Sequence, residues 1–145
     1  MLLRSEAETM AFGRSLAVRL RPGDVVALSG DLGAGKTTLA RGVLRGLGFE
    51  GDVASPTFPI VQPYEDLQPP IWHVDLYRIE SEDELEQLAL EEAKEQAALL
   101  IEWPERLGEA LWMDSLQLRL TAAQAGARSL TAIVPPAWES RWPPR

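Results

Sequence analysis

The chain has no cysteine and a single histidine, His73. Disulfide frameworks, thiol catalysis and metal sites built from clustered cysteines or histidines are thereby excluded. It has no apolar run approaching the roughly 20 residues of a membrane-spanning helix. Its first residues, Met1-Leu-Leu-Arg-Ser-Glu-Ala-Glu8, turn acidic too early for the apolar segment of a secretory leader. A cytoplasmic protein without membrane contact is expected. Excess positive charge is missing as well. The formal charge is −8, and eight acidic residues between positions 80 and 95, set against Lys94, carry −7 of it. The rest of the chain is close to neutral, so strong direct binding to nucleic acid is not expected. The acidic run reads either as a solvated helix face or as a docking surface for a basic partner. Lysine itself is scarce: Lys36 and Lys94 stand against twelve arginines.

What is present reads as alternating helices and strands in one domain, residues 1–134, followed by a tail at 135–145. The tail holds four of the eleven prolines and two of the five tryptophans, and order is expected there only where it docks on something. Ser5-x-x-Glu8 is a capping box, and Phe12, Leu16 and Leu20 predict a helix from about 6 to 20. Val25–Ser29 reads as a buried strand. A helix from Thr37 follows, with Leu39, Val43, Leu44 and Leu47 on one face and Gly48 as its stop. Gly42 and Gly46 should each weaken it by about 1 kcal/mol. Phe58–Tyr64 and Ile71–Asp75 predict a hairpin whose first strand, with Pro59 and Pro63, belongs at an edge or carries a bulge. Ser81-x-x-Glu84 opens another helix bearing Leu85, Leu88 and Ala89 on one face. Ala98–Ile101 is a second buried strand, and Leu116–Leu120 with Ser129–Val134 predicts an antiparallel pair.

The chemistry begins at Gly30-Asp-Leu-Gly-Ala-Gly35-Lys36-Thr37. This is the G-x-x-x-x-G-K-[ST] phosphate loop, placed between an apolar strand and an amphipathic helix as that motif requires. Glycines let backbone N–H groups turn inward around a phosphate, and the helix that follows points its positive end at the same anion. Lys36 would reach the terminal phosphates and the Thr37 hydroxyl would ligate magnesium. Such a site needs carboxylates. Asp75 and Glu102 both end apolar strands, where open α/β sheets bind ligand. Either could hold the metal directly or through water, or orient an attacking water. His73 shares a sheet face with Asp75 and reads more readily as a packed side chain than as a catalytic one.

These motifs occur in a particular order: the loop through Thr38, Ser55-Pro-Thr57-Phe, Tyr64, Asp75-Leu-Tyr-Arg78, Glu84-Leu-Glu86 and Glu102-Trp103-Pro104. The set, spanning about Ser5 to Arg128, resembles the TsaE family, small ATPases of bacterial tRNA threonylcarbamoyladenosine modification. The resemblance implies an α/β P-loop NTPase fold, three layers with a mixed parallel and antiparallel sheet. It implies ATP and Mg2+ as ligands, slow hydrolysis by the isolated protein, and docking on the TsaB and TsaD proteins in support of threonylcarbamoyl transfer to adenosine 37 of tRNAs. It also implies nucleotide contacts from Gly33, Ala34, Gly35, Lys36, Thr37 and Thr38, with Thr9, Thr57 and Arg128 nearby. Thr37 and Glu102 would ligate the metal. Asp75 would be a catalytic or outer carboxylate and is itself a candidate metal ligand, and Lys36 would act on the phosphates. Two departures stand out: Pro59 occupies a position expected to be polar, and Ala89 one where glycine is common. A small-molecule kinase on the same fold, or a nucleotide-dependent interaction module without hydrolysis, are the alternatives.

Overall fold

The structure is a computed structural model and describes residues 1–31, 33–53, 61–106 and 114–144. Its strands are β1 (Leu2–Leu3), β2 (Val25–Ser29), β3 (Val61–Tyr64), β4 (Ile71–Asp75), β5 (Ala98–Glu102), β6 (Leu116–Ala122) and β7 (Arg128–Ile133). The α-helices are α1 (Glu6–Ala17), α2 (Lys36–Gly46), α3 (Glu82–Gln87) and α4 (Leu90–Ala93). The strands form one sheet in the order β1-β7-β6-β2-β5-β4-β3. β6, β2, β5 and β4 run parallel, while β7, β1 and β3 add antiparallel edges.

The near-continuous apolar sequences of β2 and β5 follow from burial on both faces. Val26, Leu28, Ala98 and Leu100 pack with Leu16 of α1 and Leu39, Val43 and Leu44 of α2. Val25, Leu99 and Ile101 alternate to the other face, where Leu90 of α4 and Leu85 of α3 cover them. The result is three layers around a mixed sheet, as the family resemblance implied. The short β1 was not foreseen, since two residues carry no periodicity; it pairs Leu2 with Ser129. β3 does lie at the sheet edge, which leaves the missing N–H of Pro63 without consequence. The predicted residues Phe58–Ile60 at its start lie outside the described residues.

Both capping boxes form, with a shared offset. The Ser5 hydroxyl accepts the Glu8 N–H at 3.1 Å, and the Ser81 hydroxyl accepts the Glu84 N–H at 3.2 Å. Each glutamate then reaches one residue beyond the cap, accepting from the N–H of Arg4 and of Glu80 respectively. α1 ends at Ala17 rather than 20, although Leu20 still reaches the core. The helix after Ser81 is not continuous. Ala89 is exposed in the left-handed conformation (φ 55°, ψ 41°) and separates α3 from α4, so it does not share a face with Leu85 and Leu88 as predicted. The turn brings Leu90 down into the core. An alanine there carries strain that glycine would avoid.

The glycines of α2 gain a reason that helix propensity alone does not supply. A Cβ on Gly42 would stand 2.4 Å from the Met10 carbonyl oxygen, and one on Gly46 would stand 2.7 Å from the Ala17 Cβ. From the other side, a Cβ on Gly13 would stand 2.4 Å from the Leu39 carbonyl oxygen. The two helices thus meet backbone against backbone, and their bare positions permit it.

The tail is docked. Residues Pro136–Arg141 form a 3-10 helix that buries Trp138 completely in the main core. The Arg141 guanidinium makes a two-pronged pair with Asp24, at 2.7 and 3.1 Å, and lies 3.8 Å above the Trp138 ring. Trp142 packs edge-on against Phe12.

Two stability predictions follow from these contacts. Gly42→Ala should lower unfolding free energy by about 1–3 kcal/mol in urea titration despite its better helix propensity, because overpacking outweighs that gain. Trp138→Ala should cost about 3–5 kcal/mol, read as a lower thermal midpoint. An unchanged midpoint would make the tail a surface appendage.

Candidate functional site

The loop between β2 and α2 is shaped by three positive φ angles, 137° at Gly30, 79° at Gly33 and 104° at Gly35. Residues with a Cβ would be strained at each. At Gly30 the space is closed too, since a Cβ would sit 2.2 Å from the Leu120 carbonyl oxygen. α2 begins directly after Gly35, with no side-chain cap and no acidic residue in its first turn. α1 and α3 differ, each having a serine cap and acidic first turn. An uncapped helix start leaves backbone N–H donors and the positive end of the dipole for an anion.

Lys36 is buried at the helix start. Its Nζ donates to the Gly30 carbonyl at 2.7 Å, closing the loop on itself, and lies 3.9 Å from the centroid of the Trp103 ring. Arg128, the first residue of β7, donates from Nη2 to the Gly33 carbonyl at 3.0 Å. Its Nη1 donates to the carbonyls of Gly126 and Ala127.

The register of the parallel strands brings the two carboxylates together. Asp75 lies directly opposite Glu102 in the β4/β5 pair, and Leu28 lies opposite Glu102 on the β2 side. Both acids are almost fully buried, 4% exposed for Asp75 and 2% for Glu102. They share a sheet face with Ile71 and Leu100, so they face the α1/α2 layer. The Asp75 Oδ1 accepts the Tyr77 N–H at 2.9 Å, and the Glu102 Oε2 lies 2.6 Å from the His73 Nε2. Directly after Glu102 the chain turns sharply: Trp103 has φ 59° and stacks, tilted, on Tyr77 at 4.9 Å. A left-handed tryptophan is uncommon and its strain is of the kind that collects at functional sites.

These elements enclose a cavity of about 420 Å3. Of the residues assigned from sequence, Thr9, Gly33, Gly35, Lys36, Thr37, Thr38, Asp75, Glu102 and Arg128 line it. Ala34 does not; it is buried in the loop beneath. Thr57, with Ser55, lies outside the described residues. Thr9 comes from the second turn of α1, where its hydroxyl donates to the Ser5 carbonyl. Glu6, Tyr77, Arg78 and Gly126 also line the cavity. Tyr77 and Arg78 were signalled by the Asp75-Leu-Tyr-Arg78 motif, whereas nothing in the sequence pointed to Glu6, which enters because α1 packs so closely on α2. Among the described residues no helix is long and apolar enough to cross a membrane.

The sequence model of the family described as "Threonylcarbamoyl adenosine biosynthesis protein TsaE" matches residues 3–130. A tRNA threonylcarbamoyladenosine biosynthesis protein TsaE from Streptomyces coelicolor is 48% identical over 114 residues, 77% of either chain. The protein of that name from Bacillus subtilis is 42% identical over 125 residues, 86% of this chain and 78% of its own. The crystal structure of Bacillus subtilis YdiB superposes with a TM-score of 0.81 at 33% identity, covering 97% of this chain and 88% of that one. With fold, motif order and relatives in agreement, the chain belongs to the TsaE family of tRNA threonylcarbamoyladenosine biosynthesis proteins.

Proposed function

We propose that this protein is a magnesium-dependent ATPase that turns over slowly alone and acts with the TsaB–TsaD pair in forming threonylcarbamoyladenosine at position 37 of tRNAs. The observation that carries the reading is the uncapped α2 start facing two buried carboxylates across one cavity. The residues fit the ligands. A loop whose glycines exclude side chains cradles phosphate, and a cavity of about 420 Å3 lies in the size range of small-molecule sites. Among the described residues no three His, Cys, Asp or Glu side chains cluster as a metal site. One or two carboxylates with a hydroxyl suit magnesium, which keeps waters and takes phosphate oxygens as its other ligands.

In this reading the loop and α2 N–H groups orient the phosphates, and Lys36 exchanges the Gly30 carbonyl for a phosphate oxygen. Thr37 and Glu102 would hold the metal. Asp75, directly beside Glu102, would either join them or fix the attacking water. Bound magnesium would supply charge neutralisation and a template for the phosphates. Arg128 and Thr9 border the nucleotide, and Arg128 links the loop to β7. Trp103 and Tyr77 present an aromatic wall beside Lys36. Thr57 takes part by family resemblance alone. Cytoplasmic residence and the absence of strong direct nucleic-acid binding accompany the role, since the net charge is negative and concentrated on α3 and α4.

The test is phosphate release with and without the TsaB–TsaD pair. Stimulation by the pair is expected; labelled phosphate accumulating on a small acceptor instead of as free phosphate would make the protein a kinase, and no release in either condition an interaction module. Lys36→Ala should weaken ATP binding about tenfold or more, the loss of a charge-assisted contact, measured by calorimetry. Glu102→Ala should lower magnesium-dependent turnover about 10- to 100-fold with the thermal midpoint little changed. A collapsed midpoint with normal turnover per folded molecule would show Glu102 to be structural.

A further inference from the structure

We infer that His73 is a positioning residue for Glu102: its Nε2–H holds the carboxylate in the orientation in which it meets the metal. The inference rests on the proposed role of Glu102 and adds a residue to it.

His73 sits in the middle of β4 and has no exposure to solvent. It pairs in register with Leu100, so Glu102 is its diagonal neighbour, two residues further along β5 on the same face. Long side chains span such a diagonal. The contact is short, 2.6 Å from Nε2 to Oε2, and both side chains are almost wholly shielded from water. A carboxylate only accepts, so Nε2 carries the hydrogen. The other ring nitrogen, Nδ1, is buried with no hydrogen-bond partner among the described residues. That suits a bare lone pair better than an N–H, because buried donors without partners are the rarer case.

A histidine kept only to fill space would be a poor choice there. Leucine or phenylalanine would occupy the same core without stranding a polar atom. The imidazole makes one strong side-chain bond and directs it at the acid that ends the neighbouring strand. Glutamate has three side-chain torsions, and a fixed donor on one oxygen sets the plane of the carboxylate and hence the direction of the other oxygen. Outer groups that orient a metal-binding side chain in this way commonly change metal affinity about 10- to 100-fold when removed.

The experiment uses the full chain, ADP, and Mn2+ as a paramagnetic stand-in for magnesium, with free Mn2+ read by electron paramagnetic resonance. His73→Leu removes the donor and should weaken Mn2+ binding about 10- to 100-fold, while ADP affinity in EDTA stays at the native value. His73→Gln, whose amide nitrogen falls near the Nε2 position, should recover most of the affinity. His73→Asn, whose amide falls near Nδ1, should not. A merely structural role would lower the thermal midpoint in all three variants without separating Gln from Asn. Native Mn2+ affinity in folded His73→Leu, alongside a loss in Glu102→Ala, would overturn the positioning role and leave the metal role of Glu102 standing. Native affinity in Glu102→Ala would overturn the metal role and the inference with it. Should His73→Leu fail to fold, the Gln and Asn variants decide, and equal affinities overturn the inference.

Discussion

The parallel pairing of β2, β5 and β4 is the constraint on which the cavity depends. Parallel register lines up strand ends, and here it sets Leu28, Glu102 and Asp75 in one row at the same edge of the sheet. The loop after β2 and the turn after β5 therefore leave from neighbouring points. α2 then starts where the two acids end. A shift of one residue in β5 would turn Glu102 to the α3/α4 layer and leave a hydrophobic residue in its place. Packing and chemistry thus depend on one choice of register.

The α1/α2 contact is the second constraint. Three glycines let the helices approach until carbonyls and amides face one another. Close approach brings the first turns of α1 against the loop, which is how Glu6 and Thr9 come to line the cavity. From the opposite side Arg128 spans from β7 to Gly33. The loop is accordingly held by a helix and a strand distant in sequence, and its shape depends on the finished fold.

Much of this was legible in the sequence, and the reasons are specific. Both serine caps, the buried strands and the loop with its helix declare themselves through local pattern, because capping, periodicity and glycine φ preference act over a few residues. Asp75 and Glu102 were legible as strand-ending acids. Their direct opposition was not, because register arises from long-range pairing. The same limit hid the link between His73 and Glu102: spacing along β4 gave the face of His73, but the neighbouring strand decided its partner. Spacing after Leu85 and Leu88 puts Ala89 on a helix face, yet Ala89 turns left-handed and Leu90 beyond it is buried. The tail gave no periodic signal, yet Trp138 and the Arg141–Asp24 pair tie it to the core.

The two-residue strand β1 carries a consequence for how the chain folds. Leu2 pairs with Ser129, and the amino group of Met1 donates to the Leu130 carbonyl at 3.0 Å. The Met1–Leu130 bond joins residues 129 positions apart, so β1 is among the last elements to find its partner. Until β7 is in place, Leu2 and Leu3 lack the strand they pair with, and the sheet is incomplete on that side. Long-separation contacts of this kind form late and slow the search for the native state.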